Sequence, residues 1–281
     1  MPETVQIVRP PRPPRPQIVL TVLRREELSP HLVRVHLGGP GFDAFVNNAF
    51  TDRYVKIVFA KPELELEPPY DLALLRETLP AEDVPVTRTY TVREVDEENR
   101  RLAIDFVVHG EEGLAGPWAA RAEPGQRLAF SVPGGGYAPD PDADWHLLAG
   151  DESALPAIGA ALEALPTDAT GIAFVEVDGA ADEIALAHPA GVELRWLHRN
   201  GAPAGTSRVL ADAVAAHIWP AGQVQVFAHG ERESMKALRD VFFAQRGLDR
   251  SAVSLSGYWA HGRTEDRFQA EKREPIGRIL P

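Results

Sequence analysis

The 281-residue sequence contains no cysteine. That absence excludes disulfides, thiol nucleophiles, thiolate zinc sites and all-cysteine iron–sulfur clusters. Redox chemistry in this chain would therefore need a bound organic cofactor or a metal held without thiolates. The nine histidines show neither an H-E-x-x-H nor a finger spacing, so they read as core or surface residues and no metal site is expected. No run approaches the roughly 18–20 apolar residues of a membrane span, and the N-terminus lacks an apolar signal core. A cytoplasmic location is the default expectation. Basic charge is also short, with 29 Lys and Arg against 41 Asp and Glu for a formal net charge of −12. Such a field repels phosphate backbones and anionic lipid, so neither nucleic acid nor membrane is an expected partner. A few converging cations can still capture an anionic ligand at short range.

What is present describes an ordinary globular chain, 44% hydrophobic and 25% charged, whose 281 residues favour two domains. Residues 9–16, Arg-Pro-Pro-Arg-Pro-Pro-Arg-Pro, read as an extended leader, placing a Pro-rich tail at 1–16. From 17 to 140 the pattern is of short strands with period-two alternation: Ile18–Leu23, Leu32–Leu37, Tyr54–Phe59, Thr87–Arg93, Leu102–Val108 and Gln126–Val132. Six such strands predict a small antiparallel barrel. Beyond the Pro133-Gly134-Gly135-Gly136 turn, over 141–260, apolar strands alternate with helices, which predicts a parallel α/β sheet. The strands are Trp145–Ala149, Gly171–Val177, Val192–His198, Val224–Ala228 and Val253–Tyr258, and the helices Ser153–Leu165, Ser207–His217 and Glu233–Arg246. Residues 261–281 hold a charged helix, Thr264–Glu274, and a tail.

The most informative segment for chemistry is Arg88-Thr89-Tyr90-Thr91-Val92-Arg93. Alternation along a strand puts Arg88 and Tyr90 on one face with Thr91 beside them. An Arg pairs with pyrophosphate, a Tyr ring stacks on a flat heteroaromatic system, and a Thr hydroxyl bonds a ring nitrogen. Those are needs of a flavin dinucleotide, although the same segment read alone is equally a Thr- and Tyr-rich strand. No G-x-G-x-x-G or Walker loop accompanies it.

An R-x-Y-[ST] strand late in a barrel, followed by a parallel α/β domain, resembles the ferredoxin-reductase superfamily. Three further segments resemble its siderophore-interacting branch: Asp105 to Gly110, Gly150 to Ala157, and Gly257-Tyr258-Trp259 followed by Gly262 to Asp266. The resemblance implies a Greek-key β-barrel that binds FAD, then a Rossmann-like domain that takes NADPH or NADH, together reducing a ferric siderophore. It implies FAD contacts from Arg88, Thr89, Tyr90, Thr91, Asp105, Val107, His109 and Trp118, and from the backbone amides of Ala115 and Gly116, the last standing where the family often has Ser. Asp151 and Ser153 fall where it places the nicotinamide. Arg199 is a candidate for a 2′-phosphate, whereas Asp178 would select NADH. Lys56 is the first candidate for the chelate, with Arg263 and Lys272 behind it, and the family's basic residue in the preceding turn is replaced by Gly135. No protein acid, base or nucleophile is required. Ferredoxin as donor, or a non-catalytic siderophore-binding module, are the alternatives.

Overall fold

Residues 16–110 and 113–280 are described in the computed structural model. The expected leader, apart from Pro16, lies outside them. Along β1 (Gln17–Ser29) the alternating Ile18, Leu20 and Val22 are each 1% exposed, the period-two signature of a half-buried strand. Five more strands follow: β2 (Leu32–Gly38), β3 (Tyr54–Phe59), β4 (Val86–Asp96), β5 (Arg101–Val107) and β6 (Arg127–Ser131). They pair antiparallel and close into a barrel in the order β1-β2-β5-β4-β3-β6, as a Greek key does. Closure removes every strand edge.

A bulge interrupts β4 where Val92 pairs with Ile104 and Glu94 with Ala103, leaving Arg93 as the extra residue. Bulges re-aim side chains, and the Arg93 guanidinium leaves the barrel to bond Glu163 of the second domain.

That second domain is a five-stranded parallel sheet in the order β11-β10-β7-β8-β9. Its strands are β7 (Trp145–Gly150), β8 (Thr170–Val177), β9 (Gly191–His198), β10 (Val224–Glu231) and β11 (Val253–Trp259). All six residues of β7 are buried, as expected of a strand covered on both faces. Helix α3 (Leu155–Ala164) packs on one face with Leu148, Ala173 and Val175, while α4 (Val209–Ala216) and α5 (Arg232–Arg239) cover the other. α5 runs on as a wider π turn over Asp240–Gln245, ending before Gly247 at φ +67°, so the predicted helix is there with its last turn loosened. α6 (Glu265–Glu271) is capped by Thr264, as predicted, and ends earlier than predicted.

Two helices were not predicted. α1 (Leu72–Thr78) begins at Asp71, whose carboxylate accepts the amides of Ala73 and Leu74. α2 (Ala115–Ala120) closes one end of the barrel, with Ala115 and Ala119 in its core. Among the described residues no helix is long and apolar enough to cross a membrane.

Candidate functional site

On β4 the predicted face forms. Arg88 pairs in register with Ile57 and Tyr90 with Val55, and cross-strand partners share a face. The Tyr90 ring lies 4.5 Å from Phe106, Phe106 lies 5.6 Å from Trp118, and Trp118 lies 5.7 Å from Phe59. These rings form an aromatic layer at the barrel's end, with the Arg88 guanidinium at its edge, 3.3 Å from Asp266 of α6. Burial raises the Tyr90 phenol well above its ordinary value, so it stays protonated. Thr89 and Thr91 face the other way, Thr89 opposite Lys56 and Thr91 opposite Tyr54. Thr91 is buried and its hydroxyl stands beside the Tyr258 hydroxyl of β11, where the barrel meets the sheet.

The end of β5 divides its predicted residues. Asp105 alternates with Phe106 and so turns away from the aromatic layer. Both its oxygens are taken by Arg34, at 2.6 and 2.9 Å, which fastens β2 to β5. Val107 packs toward α3's side, and His109 beyond it comes within electrostatic reach of Glu152, Arg199 and Asp151. Ala115 and Gly116, whose backbone amides were expected to cradle a pyrophosphate, are the first two residues of α2. A Cβ on Gly116 would stand 3.0 Å from the Val107 carbonyl oxygen, so close helix–strand packing explains this glycine without a ligand.

In the sheet, the chain proceeds from β7 to β8 and β9 and then returns to the far side of β7 with β10. The crevice at the carboxyl ends of β7 and β10 is thus the switch point where such sheets bind ligands. Asp151 stands there, 6% exposed. One carboxylate oxygen accepts the Ser153 amide at 2.9 Å and the Ser153 hydroxyl. The other accepts the Glu231 amide at 2.8 Å and the Trp259 indole N–H at 2.9 Å. Asp151 therefore ties the ends of β7, β10 and β11 together. Gly230, at φ +151°, is the residue that lets it in, since a Cβ there would lie 2.8 Å from the carboxylate.

Behind Asp151 lies a buried charge cluster. Arg199, with a side chain 4% exposed, meets Glu152 at 2.6 and 2.8 Å and Glu176 at 3.7 Å. Burial, with the charge of Asp151 adding and Arg199 opposing, lifts the Glu176 carboxyl to about 7. On β10, burial pushes His229 down to about 3, so its ring is neutral. Its nitrogens lie 3.0 Å from Tyr258 Oη and 3.0 Å from Ser254 Oγ, which extends the Thr91–Tyr258 link into the sheet.

Residues 21–137 match the siderophore-interacting FAD-binding domain, and residues 143–262 match the siderophore-interacting protein family. The chain belongs to the siderophore-interacting protein family. Ferric vibriobactin reductase ViuB of Vibrio cholerae is 35% identical over 90% of this chain and 93% of its own. The NADPH-dependent ferric-chelate reductase of Escherichia coli is 32% identical over 85% and 91%. The crystal structure of a siderophore utilization protein from T. fusca superposes with a TM-score of 0.77 at 38% identity, covering 89% of this chain and 94% of that one. Phthalate dioxygenase reductase, 14% identical with a TM-score of 0.58 over 89% of this chain and 70% of its own, shares the ferredoxin-reductase-like fold.

Within this member of the siderophore-interacting family, the barrel offers a flavin the Tyr90 ring and the Arg88 guanidinium on one face of β4, with the buried Thr91 hydroxyl on the other. The predicted chelate residues separate. Lys56 of β3 and Lys272 beyond α6 converge across more than two hundred residues of sequence, close enough that partial desolvation and then the like charge of Lys56 lower the Lys272 ammonium. Lys272 also lies 4.6 Å over the Phe268 ring. Arg263 does not join them. Its Nε bonds Glu271 at 2.8 Å, where Arg267 and Arg232 also converge, and the Arg232 hydrogen bond leads in pulling that 1%-exposed carboxyl down to about 2. Arg263 thus braces the turn before α6 against the end of that helix, and Arg232 ties the same carboxylate to α5. A cavity of about 560 Å³ opens beside Tyr54 and Tyr258, lined also by Gly135, Ser254 and Ser256. Sequence reading missed Asp52, whose carboxylate accepts the Gly136 and Tyr137 amides, and Glu152, Glu176 and His229, all with partners distant in the chain.

Proposed function

We propose that this chain is an FAD-dependent ferric-siderophore reductase that takes electrons from NADPH or NADH and releases ferrous iron from the chelate, acting in the cytoplasm. The observation that supports the reading is that β4 sets Tyr90 in the aromatic layer with Phe106 and Trp118 and, one residue on, sets Thr91 beside Tyr258 of the sheet. Bound FAD would supply a ring system that accepts a hydride and hands on single electrons.

This chain's residues supply position and field. Tyr90 offers the flat face and Arg88 the cation for a pyrophosphate, while Thr91, on the other face of β4, stands beside Tyr258 of the sheet. Asp151 holds the strand ends against which the nicotinamide lies, with Ser153 locked beneath it. Lys56 and Lys272 draw an anionic chelate toward a protein whose net charge of −12 would otherwise repel it. Ferric iron prefers hard oxygen ligands more strongly than ferrous iron does, so reduction loosens the chelate. One hydride carries two electrons, so each nicotinamide consumed frees two ferrous ions. The activities named for the V. cholerae and E. coli relatives support the same reading.

The test is an anaerobic visible spectrum of the FAD-supplied protein before and after NADH or NADPH, then after a ferric siderophore with a ferrous trap. Flavin bands that bleach with nucleotide and return as ferrous iron forms are the expected result. A protein that takes up no flavin yet still binds the chelate would be a binding module instead, and one that bleaches only with reduced ferredoxin would have a different donor.

A further inference from the structure

We infer that the dinucleotide site of this chain selects NADH over NADPH, with Asp178 as the residue that sets the preference. The inference rests on the reading that a nicotinamide dinucleotide is the electron donor. In a doubly wound sheet the adenosine half lies over the strands that follow the first one, and the group at the end of the second strand meets the ribose. An acid there accepts the 2′-hydroxyl, whereas a 2′-phosphate needs a cation.

In this sheet the second strand is β8, and the residue directly after it is Asp178, half-buried at the crevice. One of its oxygens accepts the Gly201 amide at 3.2 Å, which fixes the carboxylate at the mouth, within 4.8 Å of the His31 ring and the Asp182 carboxylate. The cation that a 2′-phosphate would seek, Arg199 after β9, is held out of reach. Its side chain is 4% exposed, and its terminal nitrogens lie on Glu152 at 2.6 and 2.8 Å and near Glu176 at 3.7 Å. Its Nε is buried without a hydrogen-bond partner, so the guanidinium is drawn to the two acids and not turned outward. Asp178 therefore leaves an excess of negative charge at the adenosine end, with Arg199 and its two acids enclosed behind it. A phosphate monoester carrying about two charges would sit against that excess, since few solvent ions screen charges at such short range. Arg208, at the N-cap of α4, is 72% exposed and 3.6 Å from Asp212.

Calorimetric titration of the FAD-loaded protein with NAD⁺ and with NADP⁺ tests this, paired with bleaching rates for NADH and NADPH. NAD⁺ should bind about tenfold more tightly or better, the scale set by one unfavourable charge contact. Asp178→Ala should bring the two affinities to within about threefold of each other, and Asp178→Asn should fall between, while Arg208→Ala leaves the ratio as it was. Equal or tighter binding of NADP⁺, or a ratio untouched by Asp178→Ala, would overturn the assignment. Binding of neither nucleotide would overturn it as well. In that event photoreduced protein that still reduces a ferric siderophore would leave the reductase reading standing.

Discussion

Where the two domains meet, the barrel offers rings and the sheet offers charges. On the barrel side, Tyr90, Phe106, Trp118 and Phe59 come from β4, β5, α2 and β3 and are held by packing against a core built from alternating strand residues. On the sheet side, Glu152, Glu176 and Arg199 are held by one another and Asp151 by the donors of Ser153, Glu231 and Trp259, and each of the four is no more than 8% exposed. Apolar packing spreads its stabilisation over many weak contacts, so single changes are felt modestly unless they open a cavity. A buried polar hub concentrates it, and removing one member strands the rest. The two halves should therefore fail differently.

The largest effect should follow from Asp151→Ala. It leaves the amides of Ser153 and Glu231 and the Trp259 indole N–H without their acceptor. At roughly 1–3 kcal/mol for each buried donor, the loss should come to about 4 kcal/mol in urea unfolding. FAD affinity, which belongs to the barrel, should change far less. A variant as stable as the parent would show that the strand ends are not joined through this carboxylate.

Next in size is a pH effect confined to the sheet. The folded chain raises Glu176 from 4.5 to about 7. Between those values it keeps a proton that the unfolded chain has released. Its contribution is thus fully present below pH 4.5 and lost as pH rises through 7, by up to about 3 kcal/mol. Glu176→Gln should flatten that part of the stability profile and be the more stable protein at about pH 8. A parent profile that is already flat there would mean the Arg199 pairing keeps Glu176 ionised throughout.

On the barrel side, Tyr90→Ala should weaken FAD binding by roughly thirtyfold, about 2 kcal/mol of lost ring contact, read from flavin fluorescence quenching. Tyr90→Phe keeps the ring and should keep most of the affinity. If Tyr90→Phe lost as much as Tyr90→Ala, the hydroxyl and not the face would be the working group.

The contrast between the halves also decides what could be read from the sequence. All eleven strands are found where alternation and apolar runs predicted them, because a period of two or a continuous apolar run is local information. For the same reason, alternation alone is enough to put Arg88 and Tyr90 on one face. α2 escaped because six residues carrying Gly116 and Pro117 show no helical period, and α1 because its signal is a single capping Asp71. The sheet's polar hub was invisible: Asp151 takes donors from three separate strand ends, and Arg199 finds its acids across two strands. The pairing of Arg263 was hidden for a related reason. Its partner Glu271 lies two helical turns further along, where three guanidinium groups converge only after α6 docks on α5.

The smallest expected effect lies between the halves, at Lys56 and Lys272. Both are exposed, so each charge acts through a solvent-screened field. Lys56→Ala or Lys272→Ala should raise KM for a trianionic ferric chelate roughly threefold to fivefold, leave kcat within about twofold, and lose that difference near 0.5 M salt. A neutral ferric chelate should notice neither change. The pair also repel one another, which helps hold Lys272 below its ordinary value. Removing Lys56 should therefore return the Lys272 ammonium toward that value, a shift that NMR titration of the lysine can follow. If KM rose equally for the neutral chelate, the lysines would be shaping the cleft and not its charge. The aromatic surface of Tyr54 and the adjoining cavity would then be the part of the site that recognises iron's ligand.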